Sequence, residues 1–165
     1  MNPKIIQQDE FTVIGISART SNAREMTPDG VIGKLWARFM RDGILAAIPH
    51  RADPAIVAVY SNYASDKDGE YDFLLGARVK SSAALPEGLT AVTVPAGRYA
   101  IFTSEKGPAA RVVMETWKSV WATLDETKAK LEAAGDRAYR ADFEVYGEAA
   151  LDPQNMVMDI FVGIK

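Results

Sequence analysis

Thr27-Pro28-Asp29-Gly30-Val31-Ile32-Gly33-Lys34-Leu35-Trp36-Ala37-Arg38-Phe39-Met40 reads as the opening of an amphipathic helix, and its pattern recurs later in the chain. Thr27 suits the N-cap, Pro28 the first helical position, and Asp29 complements the positive helix end. Val31, Ile32, Leu35, Trp36, Phe39 and Met40 recur at the spacing of one helix face. Gly43 weakens the end and Pro49 stops the helix, so the segment runs from Thr27 to Ile48. The second segment enters at Gly107-Pro108 and extends to about Ala134. Its stripe is Val112, Val113, Trp117, Val120, Trp121 and Leu124. Trp36 lies eight residues after Pro28, and Trp117 lies nine after Pro108. Lys, Glu and Ala over Asp125–Asp136 favour a helix continuing to Gly135. A break near Asp125 is the alternative.

Around each helical segment the same strand pattern is repeated. Phe11–Ala18 precedes the first, and Ile56–Ala64 and Tyr71–Lys80 follow it. Leu89–Ser104 precedes the second, and Ala141–Gly147 and Met156–Lys165 follow it. Asp66-Lys67-Asp68-Gly69 and Leu151-Asp152-Pro153-Gln154-Asn155 read as the two hairpin turns. Ser81–Gly88 joins the copies. One domain over residues 1–165 is expected, with repeat 1 at about 4–80 and repeat 2 at about 89–165. The predicted fold is α+β: a duplicated β-α-β-β module with a pseudo-twofold antiparallel sheet. Two long helices flank a central groove, and a seam between similar halves is a usual place for a small-molecule cleft.

Composition narrows the function. The 165 residues are 48% hydrophobic and 25% charged, with net charge −3. Lys and Arg are scattered, without the basic stripe that nucleic-acid binding needs. No apolar run approaches the length of a bilayer span. The first ten residues hold no apolar signal core, and cysteine is absent. A cytoplasmic protein is expected. His50 is the single histidine. Neither a metal site nor a serine–histidine pair is expected, nor any cofactor or catalytic set.

Asp142-Phe143-Glu144-Val145-Tyr146 is the segment with chemistry in it. Alternation puts Asp142, Glu144 and Tyr146 on one face, with Phe143 and Val145 on the other, against the helices. A mid-strand glutamate is costly to bury; buried, it would have a raised pKa and call for a cation. The bland reading is a solvated glutamate on an open sheet face. Tyr60, Tyr63, Tyr71, Phe73, Tyr99, Phe102, Tyr146 and Phe161 fall in strand-like runs, and Trp36 and Trp117 on the helices. Aromatic faces attract cations, although cross-strand packing accounts for most strand aromatics.

Phe11-Thr-Val-Ile-Gly15, Leu35-Trp36-Ala-Arg-Phe39 and Val59-Tyr60 follow a known order with Val94-Pro-Ala-Gly-Arg-Tyr-Ala-Ile-Phe102 and Asp142-Phe-Glu-Val-Tyr146. Together they resemble the effector-binding domain of bacterial AraC- and MerR-type transcription activators, also called the gyrase-inhibitory-protein-like small-molecule-binding domain. The resemblance covers about Lys4 to Lys165. It is similar to stand-alone forms from mobile gene cassettes that bind cationic drugs.

The resemblance implies two pseudo-symmetric modules around a groove and a glutamate in the final hairpin that partners hydrophobic cations. By position that glutamate is Glu144. The implied ligand-binding set is Glu144, Tyr146, Trp36, Trp117, Tyr60, Tyr71, Phe73, Tyr99 and Phe161. The expected function is binding of hydrophobic organic cations, as sequestration or as a regulatory sensor, without direct contact with nucleic acid or membrane. Alternatives within the resemblance are a protein-interaction module restraining an enzyme such as DNA gyrase, or a hydrolase of reactive cyclic toxins.

Overall fold

The computed structural model describes residues 3–81, 84–125 and 136–165. Eight strands form one antiparallel sheet: β1 Lys4–Gln8, β2 Phe11–Ser21, β3 Ile56–Ser61, β4 Glu70–Val79, β5 Thr90–Val94, β6 Gly97–Thr103, β7 Arg137–Tyr146 and β8 Asp159–Ile164. Four α-helices are interspersed: α1 Asn22–Glu25, α2 Ile32–Arg41, α3 Ile44–Ala47 and α4 Ala109–Val120. A π-helical turn, Trp121–Asp125, extends α4. The expected continuation of that helix to Gly135 lies outside the described residues, as does part of the Ser81–Gly88 connection.

The strand order is β1-β6-β8-β7-β3-β4-β2-β5. Its two halves correspond strand for strand about the β7–β3 seam: β6 with β2, β8 with β4, β7 with β3, and β1 with β5. This is the expected pseudo-twofold duplication, with one unexpected feature. β1 precedes β2 in sequence but pairs with β6 in the other half, and β5 precedes β6 but pairs with β2. Each half thus takes its edge strand from the other. The run Leu89–Ser104 is two strands rather than one, divided at Pro95-Ala96, because proline has no N–H to offer a ladder.

The helices cover one sheet face. Leu35 and Phe39 of α2 and Val112, Trp117 and Val120 of α4 pack there against Ile14, Phe73 and Leu75. Phe11, Val13, Leu74, Tyr99 and Phe143 form a second cluster on the opposite face. In a flat sheet β2 and β7, three places apart, would be separated by about 14 Å. The rings of Phe11 and Phe143 are only 5.0 Å apart, so the sheet coils toward this face.

Gly15 and Gly76 sit directly opposite each other in the β2–β4 pair. A Cβ on Gly15 would lie 2.0 Å from the Leu75 carbonyl oxygen, and one on Gly76 would lie 1.9 Å from that of Ile14. Neither strand can carry a side chain at this crossing without a backbone shift. Gly15→Ala is expected to cost about 1–3 kcal/mol, as overpacking does. A lowered urea midpoint would show this; an unchanged one would mean that the strands separate freely.

Helix α2 starts later than expected. Thr27 does not cap it; its hydroxyl donates to the Arg24 carbonyl and accepts from the Asp29 N–H within a turn. The cap is Glu25, whose carboxylate accepts from the N–H groups of Val31 and Ile32, each at 2.9 Å. The carboxylate reaches across the turn to satisfy two of the free donors at the helix start. Gly43, at φ 61°, breaks the helical run after Arg41, and Met40 is 66% exposed rather than part of the packed stripe.

Candidate ligand-binding site

Glu144 lies at the seam, on β7 and opposite Ala58 of β3. Asp142, Glu144 and Tyr146 share a face as alternation requires, but it is the face that the helices cover. Phe143 and Val145, expected to meet the helices, belong to the opposite cluster with Phe11 and Val59. Both faces of this sheet are packed, so an alternating pattern alone does not say which one carries the helices.

Burial of Glu144 is nearly complete, at 1% exposure. Its Oε2 accepts from the Tyr60 hydroxyl at 2.9 Å and the Trp117 indole N–H at 2.6 Å, and its Oε1 from the Tyr146 hydroxyl at 2.8 Å. Three neutral donors hold the carboxylate, and among the described residues no lysine, arginine or histidine pairs with it. Burial pushes the Glu144 carboxyl up from its ordinary value, and the bonds from Trp117, Tyr146 and Tyr60 pull it part of the way back. The hydroxyls of Tyr60 and Tyr146 are pushed well up, first by burial and then by the neighbouring carboxylate, so both stay protonated as donors.

A cavity of about 260 Å³ opens beside these rings, between α2 and α4. Tyr60 and Trp117 line it, so the carboxylate stands one layer of rings behind the wall. The aromatic groups form a connected lattice. Tyr60 lies 5.1 Å from Trp117 and 5.3 Å from Tyr71, centroid to centroid, and Tyr63 lies 5.8 Å from Tyr71. Trp121 and Met114 add apolar surface, and Glu25 and Lys67 add charge.

A second buried polar network closes one end. Arg137 donates to Asp125 at 2.9 Å and to Asp142 at 2.6 Å, with side-chain exposures of 2%, 5% and 0% for the three. Asp142 also accepts from the Tyr63 hydroxyl and from the Gly163 N–H. An irregularity in the β7–β8 register, between Arg137 and Asp142, makes this possible. Tyr139 within it has φ 51°, a left-handed conformation that a tyrosine rarely adopts. Its ring lies under the Arg137 guanidinium, 4.3 Å from centroid to Cζ.

Of the nine residues grouped from sequence, the structure brings Glu144, Tyr60, Tyr71 and Trp117 together at the cavity. Tyr146 donates to Glu144 without lining the cavity, and Trp36 stands edge-on to Tyr146 at 4.9 Å. Phe73 is fully buried beneath Tyr60. Tyr99 and Phe161 do not join the group. Tyr99 donates to the Pro95 carbonyl in the opposite cluster, and Phe161 stacks on Phe143 there at 4.5 Å. Strand parity is the reason: Phe161 and Phe143 face each other across β7 and β8, one position out of phase with Glu144. Tyr63, one of the strand aromatics, also lines the cavity, as does Trp121, which spacing assigned to the helix stripe; Glu25, Lys67 and Arg137 join the wall without having been singled out. For Arg137 the available signal was Asp142, since a carboxylate buried in mid-strand calls for a cation.

Residues 4–164 match the family described as Cass2, integron-associated effector binding protein. The chain belongs to this family. A Bacillus subtilis (strain 168) relative named as a transcriptional regulator, YobU, is 37% identical over 152 residues, which cover 92% of this chain and 90% of the relative. The integron cassette protein VCH_CASS2, from the mobile metagenome of Vibrio cholerae, superposes with a TM-score of 0.76 at 30% identity, covering 99% of this chain and 96% of that one. The fold is also that of SAV2435, solved bound to tetraphenylphosphonium, with a TM-score of 0.78 at 18% identity, covering 100% and 94%. This family member is therefore an α+β effector-binding protein of the gyrase-inhibitory-protein-like fold. Among the described residues no helix is long and apolar enough to cross a membrane.

Proposed function

We propose that this protein binds hydrophobic organic cations in the cavity between α2 and α4, as a cytoplasmic sequestering or sensing module without catalytic chemistry. The observation that carries this reading is Glu144: a carboxylate 1% exposed, held by three neutral donors and paired with no cation among the described residues. Burial of a charge without a counter-charge is unfavourable, and the natural compensation is a cation supplied by a ligand. The rings of Tyr60 and Trp117 stand between the carboxylate and the cavity. Their faces attract a cation, and their N–H and O–H groups orient toward Glu144 behind them. The tetraphenylphosphonium-bound relative supports a ligand of this class.

The wall and its supporting residues hold five carboxylates, Glu25, Asp68, Asp125, Asp142 and Glu144, against Lys67 and Arg137. This balance disfavours anions. Apolar burial would supply most of the affinity, at ~25 cal/mol per Å² before association costs. An aryl trimethylammonium ion should therefore bind more tightly than its neutral tert-butyl analogue, and an aryl sulfonate of similar shape should bind worst. Calorimetry checks the order, and equal affinity for the sulfonate would overturn it. Nothing in this mode calls for contact between the cavity and nucleic acid.

A further inference from the structure

Exposure grades the cavity from floor to rim. Tyr60, Tyr71 and Trp117 are buried and form its floor. Gly33 and Met114 line it too but are exposed, so they mark its opening, one on α2 and the other on α4. Met114 is unbranched and can swing aside. Gly33 has no side chain to move.

Neither helix geometry nor packing asks for glycine at position 33. The residue lies inside α2, in its first turn. A Cβ built there would meet no described atom within 4 Å, in contrast to Gly15 and Gly76, where the facing backbone is in the way. Glycine is also the poorest helix former after proline. A residue that weakens its helix and relieves no crowding is accounted for by the space it leaves open, which here is the rim of the cavity.

The size of the cavity gives that space a use. At about 260 Å³ it falls short of the ~300–1,000 Å³ typical of sites that enclose drug-sized ligands. A cation carrying several aryl groups overfills it, and part of such an ion must lie across the rim. A small ion sits on the floor without reaching that far.

We propose that Gly33 is a specificity-determining residue and that the preferred ligands are bulky cations with more than one aryl group. One ring packs on the floor of Tyr60 and Trp117, and another lies against the bare α2 backbone at Gly33. This rests on the cation-binding reading above and adds selection by size.

Calorimetry on the full chain tests it with tetraphenylphosphonium and phenyl trimethylammonium. The wild type should bind the phosphonium more tightly. Gly33→Leu should cut the affinity ratio of phosphonium to ammonium at least about tenfold, since even one methylene in a filled apolar site is worth that much. Gly33→Ala should cut it by a smaller factor. Without ligand, both variants should have raised urea midpoints, because both residues are better helix formers than glycine. Should Gly33→Leu fail to fold, Gly33→Ala decides. A lowered midpoint in Gly33→Ala would show that the glycine serves the helix and would overturn the proposal. An unchanged ratio in the folded variants, or a wild type that prefers the small ion, would overturn it while leaving cation binding intact. Binding of neither ion would overturn the cation reading itself.

Discussion

Glu144→Gln is expected to weaken binding of a permanent organic cation roughly ten- to a hundred-fold, the loss of a charged partner at about 1.5–3 kcal/mol. The fold should survive, because glutamine keeps the size and one acceptor oxygen for the surrounding donors. The variant should also be more stable than the wild type without ligand. Glu144 has a folded-state pKa raised by burial above its unfolded value. Such a group favours folding while protonated, and that contribution is lost as pH rises through the raised pKa. The wild type should therefore lose stability relative to the variant as pH climbs from the acid side through that point. Paired urea titrations over a pH series and ligand titrations by fluorescence check both halves. A variant that is less stable and binds equally well would identify Glu144 as a packing residue.

Arg137→Leu should be the most damaging single change in the site. It leaves Asp125 and Asp142, 5% and 0% exposed at the side chain, buried together without their shared cation. Breaking a buried pair from one side costs about 3–5 kcal/mol. The loss should shrink when both aspartates are replaced by asparagine along with it. Urea midpoints report this. A loss below about 1 kcal/mol would place the network in the range of exposed surface pairs, contrary to its burial.

The repeat was legible because each copy carries its own strong periodicity. The stripes of Leu35, Trp36 and Phe39 and of Val112, Trp117 and Val120 predicted two equivalent helices, and the structure has α2 and α4 on one face of a symmetric sheet. The exchanged edge strands were not legible. Lys4-Ile5-Ile6-Gln7-Gln8 is short and half polar, and nothing local says that its partner is β6 of the other half. The helix start was misread because Thr27-Pro28-Asp29 is a good local cap, and a side chain from the preceding turn, Glu25, takes its place.

The candidate site was legible up to parity. Alternation put Glu144 with Tyr146, and the cross-strand register adds Tyr60 through the pair of Ala58 with Glu144. The same alternation could not exclude Tyr99 and Phe161, because strand registers between distant segments do not show in one sequence. Arg137 escaped because it sits beyond the register irregularity of β7, where counting by twos from Glu144 fails.

The central claim is that Glu144 is the buried charge for which a cationic ligand compensates. Calorimetry of an aryl trimethylammonium ion, repeated in buffers of different ionisation enthalpy across a pH series, counts the protons released on binding. The ligand does not titrate, so protons come from the protein. Below the raised Glu144 pKa the wild type should release up to one proton per cation, and well above it none. Glu144→Gln should lack this release at every pH. Equal proton counts in wild type and variant would contradict the account.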